Sequence, residues 1–254
     1  MVNWKPNISR VLVMWLLTGL SGCYGNTAAT DPNTAAARLV TLLQDQDPQM
    51  RTTAAQALGK IAAPGTAAAL LGSLDDTDPA VRAMSAWALG RFGEDVLDLV
   101  GLELAKRLDD PSPAVKLAAA QALGAVGSTQ TIVELLTERL THSDRETRRA
   151  VVQALTWLEA GSAHHALLKA LNDPDAQVRQ GAVAALGEMV DPRSLPAIRD
   201  RLLKDTDAGV RGEAAYRLGK FGDRTIIPAL QSASARDQDA AVRRWASWAL
   251  EQIV

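Results

Sequence analysis

Residues that commonly carry out chemistry are sparse in this chain. Histidine occurs three times, as His142, His164 and His165, and Cys23 is the only cysteine. No His-Glu-x-x-His motif occurs, and a single thiol allows neither an intramolecular disulfide nor a multi-thiolate metal site. The adjacent pair His164 and His165 would point in two directions on a helix, so one metal ion is not expected to use both. We can place no Ser/His/Asp grouping, and we predict no catalytic residues, no metal site and no cofactor.

Cys23 stands in a context that predicts covalent modification. Lys5 and Arg10 precede the apolar run 11–20, which is too short to span a bilayer and is typical of a secretory signal. The Leu-Ser-Gly-Cys of residues 20–23 follows directly and resembles the lipobox of bacterial lipoproteins. That resemblance implies that Cys23 is lipidated and becomes the first residue of the mature chain. The alternative is an ordinary cleavable signal with a chance cysteine.

The lipoprotein resemblance also implies a location in the bacterial cell envelope. Two acyl chains anchor a protein stably where one does not. Tyr24 follows the cysteine in place of the Asp that favours inner-membrane retention, which implies the outer membrane, facing the periplasm, if the host has two membranes. Residues 24–33 are small and polar, as in a tether, and ten residues reach at most about 35 Å. We therefore expect a signal peptide at 1–22, a lipidated cysteine and tether at 23–33, and a folded domain at 34–254.

The rest of the chain repeats with a period of about 32 residues. A basic residue, here called the anchor, recurs every 31 to 34 residues, and a leucine follows seven positions after each anchor. Such a period is the signature of a solenoid. The anchors are Arg51, Arg82, Lys116, Arg148, Arg179, Arg211 and Arg243.

Each repeat carries the signals for two helices. Four residues before every anchor stands an Asp or Ser, which are favoured N-cap residues, and an apolar segment of two to four turns precedes each cap. The caps are Asp47, Asp78, Ser112, Asp144, Asp175, Asp207 and Asp239. The pattern predicts an all-α fold, a right-handed α-solenoid of about seven antiparallel helix pairs held by neighbour-on-neighbour interfaces. A glycine after the repeat leucine could end the second helix or admit a neighbouring backbone, and the sequence does not decide between these.

Three motifs resemble HEAT-like repeats of the phycobilisome-lyase type. They are the recurring Asp-x-Asp-x-x-Val-Arg, the Ala-Leu-Gly, and the Gly-Glu-Met-Val-Asp-Pro-Arg of 187–193. The resemblance covers residues 34–254 and implies a hydrogen-bonded ladder that ties successive repeats together, with members such as Asp76, Arg82, Asp173, Arg179, Asp205 and Arg211. Deoxyhypusine hydroxylase, a relative with such repeats, binds iron through His-Glu pairs. No His-Glu pair occurs here, so that activity is not implied.

The fourth repeat departs most from the pattern. His142 replaces the usual Asp, Arg145 the Pro or Ala, Thr147 the buried Val and Thr156 the Gly. A hydroxyl at a core position costs stability unless it is paired. We therefore expect this repeat to be the softest joint of the stack.

Large side chains at non-periodic positions are the best candidates for binding a partner. Positions two and five after each anchor should face away from the buried stripe, and second helices line the concave surface in related solenoids. Tryptophan, tyrosine and methionine at these positions are typical of interfaces. The candidates are Met84, Trp87, Tyr216, Trp245 and Trp248. Alternatively, Trp245 and Trp248 cover the open end of the last repeat, and Trp87 packs on a neighbouring helix.

Charge and topology together favour a protein partner. Removal of residues 1–22 leaves 25 basic and 29 acidic residues, a net charge of −4, which is unfavourable for nucleic-acid binding. The sequence predicts a membrane-anchored lipoprotein that acts as a protein-interaction scaffold rather than an enzyme. One alternative is a bilin-lyase-like enzyme or chaperone acting on a chromophore-bearing protein, although the export signal disfavours that cytoplasmic work. A third is a structural spacer of the envelope.

Overall fold

The computed structural model describes residues 32–63, 65–127, 129–158 and 163–253. These residues form fourteen α-helices, and no strand occurs among them. In chain order the helices are α1 Pro32–Leu42, α2 Pro48–Ile61, α3 Ala67–Gly72, α4 Pro79–Gly90, α5 Leu97–Lys106, α6 Pro113–Val126, α7 Gln130–Arg139, α8 Arg145–Trp157, α9 His164–Ala170, α10 Ala176–Glu188, α11 Leu195–Lys204, α12 Ala208–Phe221, α13 Ile227–Arg236 and α14 Ala240–Ile253.

The helices form seven consecutive pairs, as the repeat predicted. Odd-numbered helices are the first helices of their repeats and even-numbered helices are the second helices. The prediction of an all-α solenoid of about seven helix pairs is therefore confirmed. The predicted signal peptide, lipidated Cys23 and most of the tether lie outside the described residues, and α1 begins at Pro32, two residues before the expected domain boundary.

The second helices form the more closely packed of two layers. Each packs against the next along the whole row from α2 to α14, whereas consecutive first helices touch more sparsely. The surface that the second helices form on the side away from the first helices is here called the inner face. No helix of the described ranges is both long enough and apolar enough to cross a membrane.

All seven second helices begin directly after the predicted cap residues. Six of the seven cap side chains accept backbone N–H groups of the first turn; at α4, Asp78 accepts from Ala80 at 2.7 Å and Val81 at 3.4 Å. The exception is Ser112, whose hydroxyl makes no capping bond within the described structure. Pro113 at the first position of α6 fixes the helical φ angle there without such a bond.

Glycines after the repeat leucine bring neighbouring helices into backbone contact. A Cβ atom built on these glycines would lie 2.7 to 2.8 Å from the Cα atom of an alanine in the next second helix, closer than real atoms approach. The pairs are Gly59 with Ala88, Gly90 with Ala122, and Gly219 with Ala249. Of the two roles left open by the sequence, admission of a neighbouring backbone is the one that these glycines have.

The repeat leucines form the centre of a continuous core. Six of the seven are fully buried: Leu58, Leu89, Leu123, Leu155, Leu186 and Leu218. Burial of a leucine side chain contributes about 1.5–3 kcal/mol. Since repeats of a solenoid are stabilised mainly by their interfaces with neighbours, the stability of the stack depends on contacts between repeats.

Candidate partner-binding surface

The anchor arginines and the loop aspartates meet across the repeat boundaries. Arg179 donates from Nε and Nη2 to the two carboxylate oxygens of Asp205, at 2.9 and 2.7 Å, and from Nη1 to the carbonyl oxygen of Asp173 in its own repeat at 3.0 Å. Both side chains are buried, with 10% and 1% exposed. The same bidentate geometry joins Arg51 to Asp76, Arg82 to Asp110, Arg148 to Asp173 and Arg211 to Asp237.

This ladder runs from each repeat to the one after it. The Asp76 carboxylate therefore pairs with Arg51 of the preceding repeat, whereas Arg82 of its own repeat donates to the Asp76 carbonyl oxygen at 2.9 Å. Burial raises the pKa of Asp205, but hydrogen bonds from Arg179 and from the Asp207 N–H outweigh it, and the pKa lies below its usual range. Since both partners of each pair are used within the stack, these charges serve the repeat and do not form a row for an external ligand.

Lysine replaces arginine at the boundary between the third and fourth repeats. Lys116 Nζ donates to the Asp144 carboxylate and, at 2.8 Å, to Thr147 Oγ1. Thr147 is fully buried, and its hydroxyl donates to the Leu108 carbonyl oxygen at 3.1 Å. The core hydroxyl is therefore paired, which removes one physical reason to expect the fourth repeat to be less stable than its neighbours. The mobility of the fourth repeat stays a prediction, measurable by hydrogen exchange.

A Ser/His/Asp grouping that the sequence did not reveal forms between repeats five and six. His164 Nε2 lies 2.9 Å from Ser194 Oγ and 3.8 Å from Asp191 Oδ2. A catalytic triad uses the two imidazole nitrogens separately, one for serine and one for the carboxylate, whereas both contacts here involve Nε2. Ser194 is fully buried and cannot meet a substrate. The cluster therefore ties α9 to the turn before α11.

The structure likewise gives no metal centre in the part of the chain it describes. No group of three or more His, Cys, Asp or Glu residues could hold an ion there. His165 is exposed and His142 is half-buried, where its Nδ1 accepts the Asp144 N–H at 3.0 Å. The His142 imidazole thus takes the place of the loop aspartate as an acceptor for the turn.

Three of the five predicted partner-binding residues lie together at the C-terminal end of the inner face. The Tyr216 ring on α12 lies 5.3 Å from Trp245 and 5.3 Å from Trp248 on α14, and the two tryptophans are 5.8 Å apart. Trp248 is half-buried over Gly219, whereas 44% of Trp245 is exposed. Trp248 thus packs within the last repeats, and Trp245 presents an accessible aromatic face.

A cleft of about 460 Å³ opens beside this cluster. Tyr216, Trp245, Glu213 and Gln180 line it, together with small residues at the start of α12. Two of the small residues are Gly209 and Gly212, and a Cβ on Gly212 would meet nothing nearer than Trp245 at 3.5 Å. In the fourth repeat the equivalent positions hold Glu146 and Arg149, which form an ion pair with each other. Missing side chains in the sixth repeat therefore create the opening.

A second cleft of about 400 Å³ continues the first across α8 and α10. Both clefts share Gln180, Glu213 and Arg217, and together they form one surface, here called the trough. Trp157, 39% exposed, stands at the far side. It lies at position nine after its anchor, one helical turn beyond position five on the same face. The sequence signal for Trp157 is thus a large aromatic side chain one helical turn beyond position five.

Arg217 is the second residue of the trough that sequence reasoning missed. Position six after the anchor holds alanine in the other six repeats and arginine only here. Gly187 provides the space for its side chain. Arg217 donates to Glu213 Oε1 at 2.7 Å and to Glu188, and its guanidinium lies 5.2 Å from the Tyr216 ring centroid. Burial lowers the pKa of Arg217, but these two carboxylates outweigh it and raise the pKa overall.

Met84 and Trp87 lie on α4, four repeats away from Tyr216. Both are half-buried and pack against the core, with a ring atom of Trp87 at 3.0 Å from where a Gly59 Cβ would be. The structure therefore places Trp87 in contact with a neighbouring helix and does not bring these two residues to the trough.

The seven stacked pairs and their ladder define an α-solenoid repeat protein. The HEAT repeat family matches residues 29–100, 102–164 and 164–251, and the chain belongs to this family. No curated protein matches the sequence.

Solved structures share the fold. The complex of CpcE and CpcF of phycocyanin lyase from Nostoc sp. PCC7120 matches 92% of this chain and 100% of that chain, with a TM-score of 0.52 and 20% identity. Importin beta, from an ammonium sulfate condition, matches 87% of this chain and 36% of its own, with a TM-score of 0.70 and 18% identity. The chain is thus an α-solenoid of HEAT repeats.

Proposed function

We propose that the mature protein is a lipid-anchored scaffold that binds another protein along the trough. The observation that carries this proposal is the exposure of Trp157 and Trp245 beside two adjoining clefts on the inner face. Partly exposed aromatic side chains on a rigid surface supply contact area at low entropic cost, and such residues are enriched among binding hot spots. The rigidity comes from the ladder and from the glycine contacts between second helices.

Specificity in this proposal comes from residues that break the repeat. Arg217, Gly209 and Gly212 occur where other repeats have alanine or larger side chains, and all three line the trough. A bound chain that follows the trough would meet aromatic faces and fixed polar groups in a set order. Repeat solenoids achieve selectivity through such non-periodic positions on a common frame.

A binding experiment tests the trough directly. Trp245→Ala and Trp157→Ala remove exposed rings, and Leu203→Ala, on first helix α11 with 44% exposure, is the control outside the trough. Envelope partners retained by the wild type, quantified after crosslinking, should fall at least about tenfold in the tryptophan variants, because a hot-spot truncation costs about 2 kcal/mol or more. Unchanged retention in both tryptophan variants would remove the trough from the proposal.

The anchor requires a separate test. Mass spectrometry of the N-terminus and membrane fractionation would compare the wild type with Cys23→Ala and with the control Thr27→Ala. We expect a mature chain that starts at a diacylated Cys23 in the wild type and in the control. We expect no lipid and loss of the chain from the membrane in Cys23→Ala. An uncleaved, unlipidated wild-type chain would refute the anchor.

The bilin-lyase-like alternative makes a different prediction. A tetrapyrrole or its carrier in the trough would give the purified protein visible absorbance. The scaffold proposal predicts none, including after incubation with a linear tetrapyrrole at micromolar concentration. A stable coloured complex that Trp245→Ala abolishes would favour the alternative.

A further inference from the structure

The N-terminal end of the stack leaves apolar positions open that are closed in every other repeat. The residue just before the anchor is Met50 in the first repeat, and it is 41% exposed. The six equivalent residues are all at most 1% exposed: Val81, Val115, Thr147, Val178, Val210 and Val242. Thr147 shows why, since it contacts Lys116 and Leu108 of the preceding repeat. Met50 occupies the same position where the described structure has no preceding repeat.

The same helix face is open further along α2. Ala57 is half-buried, whereas the alanines at its position in other repeats are at most 2% exposed: Ala88, Ala122, Ala154, Ala185 and Ala249. Ile61, 39% exposed, continues this face one turn later. Met50, Ala57 and Ile61 are spaced by seven and four residues, which places them in one stripe along the helix.

A carboxylate that meets no arginine among the described residues borders this stripe. Asp45 is the first residue of the aspartate column, whose members accept a bidentate arginine from the preceding repeat at five internal boundaries. Among the described residues, the Asp45 carboxylate accepts only the N–H of Asp47, at 2.9 Å, as the carboxylates of the paired aspartates also do from their own loops. The backbone carbonyl oxygen of Asp45 accepts from Arg51 of its own repeat at 2.8 Å. The turn therefore holds its carboxylate in the orientation that receives arginine elsewhere.

The C-terminal end is closed in contrast. Position four after the anchor is alanine or valine in six repeats and Ser247 in the last, and position eight is Glu251 where most repeats have glycine. Both residues are exposed. A side chain at position eight obstructs the backbone approach that Gly59, Gly90 and Gly219 permit. Polar outer faces of this kind favour solubility in solenoids, whereas the described face of α2 exposes Met50 and Ile61.

We infer that the face formed by Asp45, Met50, Ala57 and Ile61 is a docking surface for a second protein, one that adds a helix against α2 and supplies an arginine to Asp45. Charge complementarity identifies the partner's chemistry, because the carboxylate repeats a geometry that binds guanidinium five times within the chain. The interface would continue the repeat-to-repeat packing. It is separate from the trough, so either surface can fail without the other.

Two other occupants fit less well. Residues 11–31 hold no lysine or arginine, so that adjoining segment cannot supply the cation. A second copy stacked head to tail would bring Arg243, but it would also place Ser247 and Glu251 against the apolar stripe. Both occupants are outcomes that the experiment below separates.

Photocrosslinking of the full chain in its own cells tests the inference. A benzophenone amino acid at Met50 should give one adduct with a second protein, and the same probe at the opposite end, at Ser247, should not. Asp45→Asn keeps the oxygen that accepts the Asp47 N–H and loses the charge, and it should lower the adduct yield at least about tenfold. Asp98→Asn, an exposed change on α5, should leave the yield unchanged.

Sequencing of the crosslinked peptide decides between occupants. Two results together would establish the interface. The crosslinked peptide of the partner should contain an arginine beside the crosslink. Asp45→Arg should abolish the adduct, and replacement of the partner's arginine by aspartate should restore it. An adduct with residues 1–31, with a second copy or with lipid would overturn the inference. The inference would also be overturned if Asp45→Asn left the adduct yield unchanged in a chain with a native circular dichroism spectrum, or if the probe at Met50 gave no adduct.

Discussion

Replacement of Asp205 by asparagine tests what one rung of the ladder contributes to stability, together with a longer contact from Arg201 at 3.4 Å. The side chain of Asp205 is 1% exposed and accepts two hydrogen bonds from Arg179, itself 10% exposed. Asparagine keeps the oxygen that accepts the Asp207 N–H, at 3.0 Å, so the turn between α11 and α12 is retained. The substitution thus removes the charge of one partner and leaves the guanidinium buried.

The expected destabilisation follows from this geometry. Removal of one partner from a buried ion pair costs about 3–5 kcal/mol, because the remaining charge is left uncompensated. The asparagine oxygen can still accept one bond from Arg179, which returns about 1 kcal/mol. We therefore expect Asp205→Asn to lower the free energy of unfolding by about 2–4 kcal/mol.

Urea denaturation followed by circular dichroism measures this change in a chain that carries Cys23→Ala. The matched control is Asp200→Asn, which breaks the exposed ion pair of Lys204 and Asp200 on α11, the helix that ends just before Asp205. The side chains of Lys204 and Asp200 are 65% and 42% exposed. That control should lie within about 0.5 kcal/mol of the parent. Equal, small effects of both substitutions would refute the reasoning that the ladder holds the repeats together.

Three further predictions use the same assay. Gly90→Ala should destabilise by about 1 kcal/mol, because its Cβ would lie 2.8 Å from the Ala122 Cα and the overpacking cost of about 1–3 kcal/mol exceeds the gain in helix propensity. The control Gly72→Ala should not destabilise, since a Cβ there would meet no described atom within 4 Å. Val190→Gly should stabilise by about 1 kcal/mol, since Val190 has a φ of 48° and is 58% exposed; no change would show that this turn is unstrained in solution. The pKa of Asp205 is depressed in the folded state, so the stability that its charge contributes is present above the unfolded pKa of about 3.9 and is lost as pH falls through the folded pKa. Below about pH 4 the parent should therefore lose stability faster than Asp205→Asn. Parallel plots of unfolding free energy against pH for the two chains would contradict this.

The period and the helix pairs could be predicted from sequence because each rests on local signals, and the resemblance to HEAT-like repeats implied the ladder. A cap such as Asp78 followed by Pro79 defines a helix start within a few residues, and the leucine at position seven defines a buried stripe. Recurrence at a fixed period then implies that every copy meets its neighbour in the same way. Candidates such as Tyr216 and Trp245 were found as departures from that period.

Other features depend on residues about 30 positions apart. His164 and Ser194 meet only because α9 packs beside the turn before α11. Thr147 bonds Lys116 and Leu108 of the preceding repeat, in addition to Asp144 of its own repeat. Neither contact has a local signature. Ser112 shows the reverse case, a residue of the right type at the right position that makes no capping bond in the described structure.

The sequence by itself determined the class of fold and the positions that depart from the repeat, because helix propensity, capping and periodicity act over short stretches of chain. Only the tertiary structure decided which face of each second helix meets which neighbour. Gly59 and Gly90 therefore admit the backbone of the next helix, and Trp87 and Trp248 pack against glycines of the neighbouring helix. Trp157 and Trp245 stay exposed beside the trough. The physical reason is that close packing between repeats is set by the joint shape of two helices, which a single helix does not contain.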